Sequence, residues 1–136
     1  MIRPIMKDPL FLSEKSAPAT KADIGVGRDL LETLVAHQHE CVGMAANMIG
    51  VAKNIIAVNA AGLYLVMYNP EIIKKSEPYA AEEGCLSLSG VRPVTRYEKI
   101  TVRYQTPDFK TVTADFSGFT AQIIQHECDH LQGILI

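Results

Sequence analysis

Three cysteines in 136 residues are too few, and of the wrong parity, for a disulfide framework. A chain of this length can bury a core without covalent staples, so Cys41, Cys85 and Cys128 invite a metal-ligand or reactive-thiol reading instead. Positive charge is not in excess either. The 13 Lys and Arg stand against 15 Asp and Glu, a net charge of −2, and the charges are dispersed, so no basic face is offered to nucleic acid or acidic lipid. A long apolar run is also missing: the longest, Ile55 to Tyr68, is broken by Asn59 and Gly62 and falls short of the roughly 20 residues a membrane span needs. The opening stretch from Met1 to Pro9 places prolines and an acid where a secretory signal requires an apolar segment, and the expected location is the cytoplasm. With 48% hydrophobic residues and only 9 Gly and 7 Pro, disorder is excluded, and the length predicts a single globular domain over residues 1–136.

Thr20 and Asp23 form the outline of a capping box, and Ile24, Leu30, Leu31, Leu34 and Val35 make an apolar stripe, which predicts a helix over about 21–39. The small residues from Gly43 to Gly50 predict a tight segment packed closely against other backbone. Asn54–Asn59 and Leu63–Asn69 flank Ala60-Ala61-Gly62 as a hairpin. Short strands are predicted at Ile72–Lys75, Glu82–Leu88, Lys99–Tyr104 and Lys110–Phe116, the last two joined by a turn at Thr106-Pro107-Asp108. Ser117 is placed to cap a final helix that runs to Leu131 and stops at Gly133. The order predicts an α+β fold, an antiparallel-rich sheet with a C-terminal helix that carries a metal site.

That metal site is read from His126-Glu127-Cys128-Asp129-His130. At about 100° per residue, the two imidazoles of this H-E-x-x-H pattern lie about 40° apart on one helix face and can meet one ion, with Glu127 beside them to take a proton from water. A catalytic site of this type needs a third protein ligand and an open position. His37 and His39 are two apart at the end of the first predicted helix and face different ways. The better donor is Cys85, a thiolate on a strand beside Gly84, where the backbone can approach closely.

Three blocks, Gly43-Met44-Ala45-Ala46, Glu83-Gly84-Cys85-Leu86-Ser87 and Gln125-His126-Glu127-Cys128-Asp129-His130-Leu131-Gln132-Gly133, together resemble the peptide deformylases. The resemblance implies that Cys85, His126 and His130 bind one divalent metal ion, iron(II) in the cell with zinc or nickel able to take its place. It further implies that Glu127 is the general acid and base, that the backbone N–H of Leu86 stabilises the oxyanion, and that Arg96 pairs with Asp129. The implied substrates are N-formylmethionyl peptides, from which the formyl group is hydrolysed. Gly43 in the first block and Met48, two residues past Ala46, are assigned to the substrate side. Phe119 and Ile123 lie within about 60° of His126 on the helical wheel and are expected to flank the methionine side chain. Gln122, about 40° from His126, is a candidate polar wall or replacement oxyanion donor.

The family's first block usually reads G-x-G-[LI]-A-A-x-Q, and its glutamine amide donates to the oxyanion. Here Cys41 replaces the first glycine and Met48 the glutamine, and a thioether has no hydrogen to donate. Losing one such donor predicts an attenuated enzyme, slower by roughly a hundred- to a thousandfold. The alternative reading is a metal-binding paralogue with little turnover that holds formylated peptide ends or a partner protein. A zinc endopeptidase fits less well, because no downstream His follows His130. The chain stops at Ile136, and family members that dock on the ribosome do so through a further C-terminal helix, which leaves ribosome association by that route open.

Overall fold

A computed structural model describes residues 1–85 and 88–135. Among the described residues three α-helices, α1 (Pro9–Leu12), α2 (Ile24–Ala36) and α3 (Gly118–Leu131), accompany five strands: β1 (Gly43–Ala45), β2 (Ile55–Ala60), β3 (Leu63–Cys85), β4 (Leu88–Gln105) and β5 (Thr111–Ser117). The strands form one sheet in the order β1-β2-β3-β4-β5, every neighbouring pair antiparallel. The predicted α+β architecture is the observed one, with α3 packed on β1, β2 and β4, and α2 on β2 and β3.

The capping box is present: Thr20 N donates to Asp23 Oδ2 at 2.8 Å and the Thr20 hydroxyl accepts from Ala22 N. It opens a 3-10 turn over Lys21–Asp23 that runs into α2, which ends at Ala36 rather than near residue 39. Leu30 and Leu34 bury the apolar stripe of α2, each contributing roughly 1.5–3 kcal/mol by leaving water. The segment from Gly43 to Gly50 splits into β1 and a 3-10 turn, Ala46–Ile49, closed by Gly50 at φ 83°.

The largest departure from expectation lies in β3 and β4. Three predicted segments merge in β3, where the second arm of the hairpin continues through Ile72–Lys75 and into the predicted Glu82–Leu88 strand as far as Cys85, and the strand predicted at Lys99–Tyr104 reaches back to Leu88 as β4. Pro70, Pro78 and Pro93 read as strand breakers. Pro70 falls where the ribbon changes register between Tyr68 and Glu71 and Asn69 takes positive φ, and Pro78 follows Glu77, which also takes positive φ, whereas Pro93 pairs with Glu82 in regular register. Ser117 does occupy the N-cap position of α3, but its side chain makes no capping hydrogen bond. The switch from β5 into α3 is made by Gly118 at φ 62°. At the far end, Gly133 N and Ile134 N donate to His130 O and Asp129 O, closing the helix.

Candidate metal centre and cleft

Helix α3 is held on the sheet by Gln125, whose side chain acts as a strand partner: Oε1 accepts from Tyr97 N at 2.8 Å and Nε2 donates to Tyr97 O at 2.8 Å. This fixes the rotation of the helix, so that His126, Glu127 and His130 on adjoining turns are buried and turned toward the end of β3. There Cys85 completes a group with His126 and His130 whose candidate ligand atoms all lie within 4.8 Å of one another. His126 Nε2 and His130 Nε2 stand 3.0 Å apart.

The orientation of the first ring has a clear cause. Glu83 Oε1 lies 2.7 Å from His126 Nδ1, so the ring donates there and presents Nε2, where a bound ion would take the place of the proton. Glu83 is in turn clamped by Arg96, which donates from Nε and Nη2, while Arg96 Nη1 donates to Asp129 Oδ2 at 2.6 Å. Arg96 is only 4% exposed, so its charge is matched by two carboxylates, one on β3 and one on α3. The expected pairing of Arg96 with Asp129 is present, and Glu83 joins it as a second partner.

Burial opposes ionisation of Glu83, but hydrogen bonds from His126, Arg96 and Gln122 outweigh it and hold the carboxyl at about 2. His126 is likewise opposed by burial, yet its contacts with Cys85 and Glu83 carry it to about 10. Burial and the neighbouring His126 push His130 down to about 3. In the metal-free pocket one imidazole is thus held as the cation beside Glu83 and the other is kept neutral. Glu127, buried, is pushed up to about 7, and its Oε1 has no hydrogen-bond partner among the described residues. One thiol, two converging imidazoles and a neighbouring carboxylate oxygen free to hold water fit a divalent ion with one open position.

A cleft of about 590 Å³ opens onto this group, and Cys85, His126 and Glu127 line it. Gly43, Met48, Phe119, Gln122 and Ile123 line it as well. Phe119 stands at the rim, 63% exposed, whereas Ile123 is buried. Met48 is buried with its Sδ turned back to accept from Ala45 N at 3.4 Å. Gln122 Nε2 is engaged on Glu83 Oε2 at 2.9 Å. Leu86 lies outside the described residues. His37 contacts Thr33 O at the end of α2, His39 is exposed, and neither joins the group found with Cys85. Burial pushes the thiols of Cys41 and Cys128 up to about 11 and about 12, so both remain protonated near neutral pH.

Glu83 was assigned no task from sequence, although one signal pointed to it. Residues two apart on a strand share a face, and Glu83 stands two before Cys85.

Residues 2–136 match the model of the family described as polypeptide deformylase. A peptide deformylase of Clostridium beijerinckii is 54% identical over 136 residues, covering 100% of both chains. Among solved structures, a class I type b peptide deformylase from Acinetobacter baumannii bound to Met-Ala-Ser matches with a TM-score of 0.89 at 32% identity, over 99% of this chain and 97% of that one. The peptide deformylase of Thermotoga maritima matches with a TM-score of 0.88 at 30% identity, over 99% and 95%. With agreement in sequence along nearly the whole chain and in the path of the sheet and of the helix that bears both histidines, the chain belongs to the polypeptide deformylase family.

Proposed function

We propose that the protein hydrolyses the N-formyl group of formylmethionyl peptides in the cytoplasm, with Cys85, His126 and His130 holding one divalent ion and Glu127 carrying the proton. The observation that supports this most strongly is the approach of the three ligand atoms to within 4.8 Å beside a buried carboxylate in the same cleft. When bound, the ion supplies Lewis acidity, which polarises a carbonyl and acidifies water. Iron(II) is the proposed ion in the cell, with zinc or nickel able to replace it.

Glu127, held near 7 by burial, is matched to accept a proton from water and to return it to the departing amine. Its place is kept by Gly43, where any larger residue would intrude on it. Glu83 keeps the His126 ring oriented, and Arg96 keeps Glu83 in place. Developing charge on the formyl oxygen is met by the Leu86 N–H. Met48, with its sulfur on Ala45 N, has no hydrogen to add, so turnover is slower than in relatives with glutamine there. Gly43, Met48, Phe119, Gln122 and Ile123 bound the space for the methionyl residue.

Formate release from formyl-Met-Ala-Ser by protein loaded with iron(II) without oxygen tests the proposal. Release that depends on the ion is expected; stoichiometric metal and peptide binding without formate would favour the non-hydrolytic paralogue.

A further inference from the structure

Glu83 accepts more hydrogen bonds than any other side chain of the site. Its Oε1 takes Arg96 Nη2 at 2.6 Å, Arg96 Nε at 3.1 Å and His126 Nδ1 at 2.7 Å. Oε2 takes Arg96 Nε at 2.9 Å and Gln122 Nε2 at 2.9 Å. Arg96 approaches from β4, while Gln122 and His126, four apart on α3, approach from the helix. Without Gln122, Oε2 would keep only an N–H already shared with Oε1, and the carboxylate could turn about its terminal bond. Gln122 is itself tied at its other end, where Oε1 accepts from the Tyr79 hydroxyl at 3.3 Å.

We infer that Gln122 is a positioning residue: it locks the rotation of Glu83, and Glu83 in turn holds the His126 ring with Nε2 directed to the metal. Both polar ends of the amide are engaged within the protein, which is how a glutamine can stand in the wall of a cleft for a methionine side chain. The wall of the cleft and a metal ligand are thereby joined through one carboxylate, so loss of the Gln122 donor is felt at the ion as well as by the substrate. This rests on the metal site of the proposed function.

The test is titration of the metal-free protein with cobalt(II) against a competing chelator, for wild type, Gln122→Met and Gln122→Glu, with kcat and KM on formyl-Met-Ala-Ser measured alongside. Methionine keeps the length and loses the donor; glutamate keeps the shape and sets a carboxylate against Glu83. Cobalt affinity about tenfold weaker in Gln122→Met, and at least as weak in Gln122→Glu, is expected, with kcat falling in both. Cobalt affinity within about twofold of wild type in both variants, with changes confined to KM, would make Gln122 a wall alone and overturn the inference. A wild type that binds no stoichiometric cobalt would instead contradict the metal centre itself, and this inference with it.

Discussion

A methyl group at Gly43 would stand 2.9 Å from Glu127 Oε2 and 2.7 Å from Ile123 Cγ2. Strand β1 is therefore pressed onto α3 at the carboxylate proposed to move the proton. Gly43→Ala must push Glu127 aside, and misplacing a catalytic group by about 1 Å costs about a hundredfold in rate. The expected result is a kcat lower by that order with metal content unchanged, read by formate release and metal analysis. Normal kcat in Gly43→Ala would show that the position of Glu127 is not held this way.

Arg96→Ala leaves buried Glu83 without its guanidinium partner and releases Asp129 from β4. Breaking a buried ion pair by removing one member destabilises by about 3–5 kcal/mol. Chemical denaturation should show a loss of that size, and cobalt binding should weaken along with it. A stability change within the range of surface substitutions would contradict the role given to the cluster.

Glu83 also sets an acid limb of stability for the metal-free protein. Its carboxyl is held down from the ordinary 4.5 to about 2, so the folded state binds this proton less readily than the unfolded chain. Its contribution is present above about 4.5 and is lost as pH falls toward about 2. Denaturation midpoints measured across that window should fall more steeply in wild type than in Glu83→Gln. Parallel slopes would remove Glu83 as the source.

Much of the site was legible because its spacing is local. His126 and His130 are one helical turn apart, and Glu127 is covalently next to the first of them. Glu83 was harder to assign because its partners arrive by tertiary packing, Arg96 from 13 residues away and His126 from 43. The sheet was legible in kind but not in extent. Pro70, Pro78 and Pro93 mark breaks in local propensity, and pairing across the β3–β4 ribbon, with a register shift at Pro70, carries the strands through them. The end of α2 was overestimated because the chain leaves the helix at His37 for turns that bring Cys41 N to His37 O, and no glycine or proline marks the exit.

Met48→Gln tests the proposed attenuation. Met48 Sδ accepts from Ala45 N at 3.4 Å, a task that a glutamine carbonyl oxygen can assume while its amide N–H groups are left to donate. The substitution should raise kcat more than it lowers KM, by up to about a hundredfold if the amide reaches the developing oxyanion. Unchanged kinetics would mean that donors other than residue 48 already suffice.

The most direct measurement is formate release from formyl-Met-Ala-Ser by anaerobic iron(II) protein, wild type beside Glu127→Ala, each with its metal content determined. The account predicts ion-dependent release by wild type, and a Glu127→Ala protein that retains one ion per chain yet releases formate no faster than buffer. Formate release by Glu127→Ala within a few-fold of wild type, or none from fully loaded wild type, would contradict it.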